Sequence, residues 1–123
     1  MALTKTTLTS RFGDKFAKQT VANATATEFE ASSATLYTCE IDNTNNTTVA
    51  HYVKFYDVAL ASTTVGTTGP EAVLFVPANK KVTYQFTQGI AFGTALVMAC
   101  VTTGGTAGTS NPSNAVIVKV TYS

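Results

Sequence analysis

Apolar and polar residues alternate with a period of two along much of the chain after Thr20. The clearest example is the segment 81–87, in which Val82, Tyr84 and Phe86 alternate with polar residues, as in a strand with one buried face. The segment 95–101 is apolar throughout, which is typical of a central strand buried on both sides. The pattern predicts strands at 21–31, 36–42, 50–58, 72–76, 81–87, 95–101 (the apolar segment) and 116–122.

Alternation also predicts the direction of individual side chains. Tyr37, Cys39 and Ile41 are expected to share one face of their strand, because alternate residues of a strand point the same way. Lys54 is expected to point outward, between two inward-facing apolar neighbours.

These strands are not separated by any segment with a helical period, so they must pair mainly antiparallel. The predicted fold is all-β: a single antiparallel β-sandwich of seven to eight strands with jelly-roll or immunoglobulin-like connections, spanning residues 20–123. Residues 1–19 show neither the period of a strand nor that of a helix, and Gly13 interrupts them. We predict that they form an extended N-terminal arm. A chain of 123 residues is long enough for one such domain.

Charge is scarce and unevenly distributed. Charged residues make up 12% of the chain against 45% hydrophobic residues, which suggests that part of the surface is covered by something other than water. The net charge of +1 provides no field to attract nucleic acid or an anionic membrane. The arm holds Lys5, Arg11, Lys15 and Lys18 against Asp14 alone. It could dock on an acidic neighbour or be a solvated terminus, and the sequence leaves both open.

The first residues lack the apolar core of a signal peptide, and no apolar run reaches the length of a membrane span. We therefore expect a protein that is made in a cytoplasm. Cys39 and Cys100 have a separation similar to that of the inter-sheet disulfide of immunoglobulin domains, but the chain has no Trp to pack on such a bridge. Two buried free thiols are the preferred prediction in a reducing compartment, with a bridge left open.

The sequence contains no recognisable catalytic or metal-binding set. His51 is the only histidine and no GxSxG motif is present, so a serine hydrolase is disfavoured. Asp42 and Asp57 could form a carboxylate pair only on neighbouring strands, and an aspartate at a strand end usually caps a turn. The segment 42–45 is a weak calcium motif, and the glycine-containing stretch 104–108 is predicted to be a flexible tip. We predict no enzyme activity, no cofactor and no metal.

The last two-thirds of the chain resembles a β-domain that recurs in virion proteins of tailed bacteriophages, including capsid decoration (cement) proteins and proteins of the neck and tail. The order and spacing of several short segments carry the resemblance. They are IDN at 41–43, YVKFYD at 52–57, TTVGTTGP at 63–70, VLFVPA at 73–78, QGIAF at 88–92, ALVMA at 95–99 and NAVIVKVTY at 114–122. Residues 1–35 lie outside the match.

The resemblance implies a capsid decoration protein that is made in the host cytoplasm and located on the capsid surface of the virion. Its expected partners are the major capsid protein and neighbouring copies of itself in a homo-oligomer, without nucleic acid or membrane. The arm residues given above would form one interface. The loops 62–70 and 104–114 would supply further contacts through Thr64, Gly66, Thr68, Gly105, Thr106 and Gly108.

Two alternatives remain open at this point. The first is a neck or tail protein of the same virion. The second is a carbohydrate-binding or adhesin-type sandwich, in which Tyr52, Tyr56 and His51 would have to form an exposed platform for sugar rings.

Overall fold

The computed structural model describes residues 13–123, which form eight strands and one short 3-10 turn. The strands are β1 (Lys15–Ala22), β2 (Thr27–Glu30), β3 (Ala34–Asp42), β4 (His51–Tyr56), β5 (Ala72–Val76), β6 (Lys81–Phe92), β7 (Leu96–Val101) and β8 (Val116–Tyr122), and the 3-10 turn is Leu60–Ser62. Within these residues there is no helix with the length and apolar content that a bilayer crossing requires.

The strands form two four-stranded antiparallel sheets. Sheet A has the order β1-β8-β3-β6, and sheet B has the order β2-β7-β4-β5. Only β4 and β5 are both consecutive in sequence and paired, so every other connection passes from one sheet to the other. The all-β sandwich prediction is confirmed.

The core lies between the sheets, and strand alternation explains its composition. Every second residue of β8 (Val116, Val118, Val120 and Tyr122) is buried. Phe55 of sheet B meets Phe92 of sheet A edge to face, with ring centroids 6.4 Å apart, a favourable aromatic geometry.

Each open side of the sandwich is bridged by polar contacts between the sheets. On one side, Lys15 of β1 forms an ion pair with Glu30 of β2 at 3.0 Å. On the other side, the Tyr84 hydroxyl of β6 donates to the Phe75 carbonyl of β5 at 2.6 Å. The edge strands of the two sheets are therefore joined through side chains.

The single strand predicted at 21–31 is wrong. The chain leaves β1 at Ala22 and re-enters as β2 in the other sheet at Thr27, and the Asn23 side chain accepts a hydrogen bond from the Thr25 amide in the turn between them. Because β1 begins at Lys15, residues 15–19 belong to sheet A and not to the predicted arm. The rest of that arm, up to residue 12, lies outside the described residues.

The predicted direction of Tyr37 is also wrong. The pairing of β3 with both β6 and β8 shifts between Leu36 and Thr38, so Tyr37 occupies a bulge. An extra residue in a bulge reverses the alternation beyond it. Leu36 and Cys39 are therefore both buried, while Tyr37 is partly exposed.

Candidate functional site

The two predicted contact loops meet over the outer face of sheet B. Gly66 of the first loop lies against the Thr109 side chain of the second, so that a Cβ at Gly66 would collide with it. Val65 packs against a buried cluster on the outer side of sheet B that includes Tyr56 and Val97. We call the loops 62–70 and 104–114 together the sheet B cap.

Lys54 anchors this cap, and the prediction that it points to solvent is wrong. It does lie on the outer face of β4, but the second loop covers it completely. Its ammonium group donates hydrogen bonds to the carbonyl oxygens of Gly105 at 2.5 Å and Gly108 at 3.2 Å. Burial lowers the pKa of Lys54, because the charged form loses hydration.

The second loop is folded onto the sheet and is not a free tip. The Gly108 amide donates to the Gly105 carbonyl at 3.0 Å. A Cβ at Gly104 would lie 2.7 Å from the Tyr52 ring, so only glycine allows the loop to approach sheet B this closely. A Cβ at Gly108 would collide with Thr103.

The structure separates the six predicted loop residues into two groups. Thr64, Gly105 and Thr106 are exposed and available for contact. Gly66, Thr68 and Gly108 are half-buried, and the Thr68 hydroxyl accepts a hydrogen bond from the Thr64 amide at 2.9 Å. The half-buried group therefore shapes the cap.

The aromatic platform required for a sugar-binding domain is not formed. His51 and Tyr56 are fully buried, and neither the His51 ring nitrogens nor the Tyr56 hydroxyl has a hydrogen-bond partner among the described residues. Burial lowers the pKa of His51, because the imidazolium form loses hydration. Tyr52 is partly exposed, but its ring packs against Phe75 at a centroid distance of 5.3 Å.

The two aspartates cap turns and do not form a carboxylate pair. Asp42 ends a strand of sheet A and accepts hydrogen bonds from the Thr44 amide and hydroxyl, which lower its pKa. Asp57 follows a strand of sheet B and accepts from the amides of Gly93 and Thr94 at 3.0 and 2.7 Å. Burial opposes ionisation of Asp57, but these amides outweigh it and the pKa is lowered.

The metal-binding residue types of residues 13–123 do not cluster. In the part that the structure describes, no three of the His, Cys, Asp and Glu side chains lie together in a way that could hold a metal ion. Cys39 and Cys100 are buried and free, as the preferred prediction stated. Burial raises the pKa of both thiols, that of Cys100 to about 12.

The predicted basic residues have different environments. Lys5 and Arg11 lie outside the described residues, and Lys15 is paired with Glu30. Lys18 is exposed on the outer face of sheet A, directly opposite Lys119 of β8.

Sequence reasoning missed the exposed apolar residues. Phe16 and Val21 of β1 are 63% and 56% exposed, and Val73 and Phe75 of β5 are 40% and 41% exposed. The alternation of Phe16 and Lys18 with the inward-facing Ala17 could have revealed the first pair, but the polar residues around it concealed the strand.

Comparisons with protein families, with curated proteins and with solved structures found no match for this chain. The resemblance to phage virion proteins therefore stays a prediction.

Proposed function

We propose that this protein is a structural component of a tailed-bacteriophage virion, most specifically a capsid decoration protein that contacts more than one neighbour. The observation that carries the proposal is the presence of two exposed apolar pairs on edge strands of different sheets; the other two exposed large hydrophobic residues of the described chain, Val49 and Leu60, lie in connecting segments. Phe16 and Val21 lie on β1 of sheet A, whereas Val73 and Phe75 lie on β5 of sheet B.

The two strands are on opposite sides of the sandwich. The edge strands β1 and β2 lie on one side, where Lys15 bonds Glu30, and β5 and β6 lie on the other, where Tyr84 bonds Phe75. Exposed apolar groups on opposite edges of one domain can contact two different neighbours. A subunit of a shell uses such surfaces for different neighbours, and several weak contacts together give high avidity.

The low charge of the chain supports the same proposal. The chain has eight basic and seven acidic residues for an accessible surface of 6745 Å². One of the eight basic residues, Lys54, is buried. Interfaces that stay assembled are depleted in charged residues at their centres.

The test is the protein content of purified virions of the phage that encodes this chain. Quantitative mass spectrometry should find it at hundreds of copies per particle. A count of about six or twelve, as symmetric rings require, would indicate a neck or tail protein instead. Absence from the particle would overturn the proposal.

A deletion tests the contribution of the basic segment before β1. Removing residues 2–12 eliminates Lys5 and Arg11 but leaves β1 intact, whereas a cut at residue 18 or 19 would remove half of that strand. We expect the shortened protein to fold, as judged by an unchanged far-ultraviolet spectrum, and to bind decoration-free heads more weakly. Equal binding of the shortened and full-length proteins would show that residues 2–12 do not contribute to head binding.

A further inference from the structure

The outer surface of β1 and β8 combines exposed apolar groups with two lysines. The antiparallel register places Phe16 opposite Thr121 and Lys18 opposite Lys119, and directly opposed residues share one face of a sheet. Alternation puts Ile117 on the same face, because Val116 and Val118 are buried in the core. The register shift between Gln19 and Ala22 brings buried Ala22 opposite buried Val116 and leaves Val21 on the outer face. We call this surface the β1–β8 face; it comprises Phe16, Lys18, Val21, Ile117, Lys119 and Thr121.

The positive charge on this face is not fully neutralised by the chain itself. Like charges directly opposite each other in a sheet are unfavourable. Lys119 has Glu40 at 3.7 Å, and Asp42 lies on the same outer face of the neighbouring strand β3, opposite Ile117. Lys18, in contrast, takes part in neither of the two ion pairs found in residues 13–123. Residues 1–12 contain no Asp or Glu, so they cannot supply a carboxylate either. An incoming carboxylate would relieve the repulsion between the two lysines.

Phe16 gives the face an apolar anchor next to this charge. At 63% it is the most exposed of the large hydrophobic residues in the described part of the chain. An aromatic residue that becomes buried on binding is a frequent centre of binding energy in protein interfaces. Val21 and Ile117 lie at the far end of the face, beyond Lys18 and Lys119, and provide a second apolar group there.

We propose that the β1–β8 face binds a segment of a protein partner that carries carboxylate and apolar side chains. The carboxylates would lie between Lys18 and Lys119, and an apolar side chain would cover Phe16. A nucleic acid fits less well, because the face offers only two cations and the chain as a whole is nearly neutral. The identification of the partner as the capsid surface rests on the proposed function. The expectation of an acidic and apolar partner segment follows from the residues of the face alone.

The chemistry can be tested without knowing the partner. A random copolymer of glutamate and tyrosine carries both required groups and serves as the probe, added to the isotope-labelled full-length protein. Amide chemical-shift changes should concentrate on β1 and β8 and decrease as salt is added. Changes centred on Lys80 and Lys81, or equal changes on the β1–β8 face with a DNA duplex of the same charge, would overturn the proposal.

Two substitutions separate binding from folding. Lys18→Glu places an acid opposite Lys119, so it should preserve or raise thermal stability while it reduces copolymer affinity about tenfold. Lys80→Glu makes the same charge change at an exposed turn on the other side of the sandwich and should reduce affinity much less. Phe16→Ser and Phe75→Ser form the matching pair for the apolar contact. Equal effects within either pair contradict the proposed site.

The same variants on decoration-free heads distinguish the two proposals. If wild-type protein binds heads and Lys18→Glu binds them equally, the β1–β8 face is not the docking surface although the proposed function stands. If wild-type protein binds the copolymer through this face but is absent from virions, the proposed function fails and the face keeps its acidic partner.

Discussion

The Lys54 ammonium lies 3.2 Å from the Gly108 carbonyl oxygen, beneath a loop that closes completely over it. It takes part in no ion pair within residues 13–123. A buried cation held only by carbonyl dipoles stabilises the loop but has a high cost in lost hydration.

Replacement of Lys54 by alanine should therefore release the loop. We expect Lys54→Ala to lower the free energy of unfolding by about 2 kcal/mol or more, because it removes two charged hydrogen bonds and leaves a cavity. Lys80→Ala, at an exposed site, should change it by about 0.5 kcal/mol or less. Urea denaturation measures both, and amide exchange should accelerate at residues 104–108. A Lys54→Ala variant as stable as Lys80→Ala would contradict the anchoring role.

The charge of Lys54 also predicts a pH dependence. Burial lowers its pKa below the ordinary 10.5, so folding favours the neutral amine. The folded state loses its proton first as pH rises, and stability should increase between the folded pKa and 10.5. The free energy of unfolding is measured against pH for the wild type and for Lys54→Met, and the second curve is subtracted from the first. The subtraction removes the contributions of other groups, including Tyr56, whose pKa is raised by burial. A flat difference curve in alkaline solution would disprove the shift.

His51 predicts a loss of stability on the acid side. Burial lowers its pKa below the ordinary 6.5, so the unfolded chain takes up the proton first as pH falls. Stability conferred by neutral His51 should be present above pH 6.5 and disappear as pH falls through the folded pKa. The difference between the pH dependence of unfolding free energy of the wild type and that of His51→Gln isolates the contribution of His51. Parallel profiles for the two proteins would show that His51 is not protected from protonation.

Two tyrosines provide a matched test of hydroxyl satisfaction. The Tyr56 hydroxyl is buried without a partner in the described residues, whereas that of Tyr84 bonds the Phe75 carbonyl. Tyr56→Phe should be neutral or stabilising by about 1 kcal/mol, and Tyr84→Phe should destabilise by about 0.5–1.5 kcal/mol. In thermal and urea unfolding, Tyr84→Phe should lose stability and Tyr56→Phe should not. Loss of stability in Tyr56→Phe would indicate a bound water that the hydroxyl holds.

The thiols predict a chemical protection pattern. Because Cys39 and Cys100 are buried with raised pKa values, neither should react with an aromatic disulfide reagent in the folded protein at neutral pH. Both should react promptly in denaturant without prior reduction. Rapid labelling of the native protein, or a failure to label the denatured one, would contradict free and buried thiols.

Sequence pattern predicted the centre of the sandwich well because burial there follows strict alternation. The valines of β8 and the apolar β7 are surrounded by other strands, so their local pattern and tertiary environment agree. The pattern failed where a distant segment changed the environment. Lys54 occupies an outward position that a loop fifty residues later covers, and alternation contains no information about such a loop.

The prediction of the edge strands failed for a different reason. In β1, Lys15 and Gln19 point toward the partner sheet, where they bond Glu30 and Thr27. Polar residues on the inward side conceal the apolar period by which a strand is recognised. The bulge at Tyr37 is invisible for a related reason, since it depends on pairing with two other strands. Of the six predicted contact residues of the loops, three are exposed and three are half-buried, and the packing of the two loops into one cap was not predicted.

The contact between Gly66 and the Thr109 side chain has a practical consequence for peptide display. A foreign sequence spliced into either loop of the sheet B cap would push against the other loop, and an insertion in the second loop would also strain its hydrogen bonds to Lys54. Thr47 and Thr48 are both exposed in the connection between β3 and β4, so an epitope inserted between them would extend into solvent and leave the cap undisturbed.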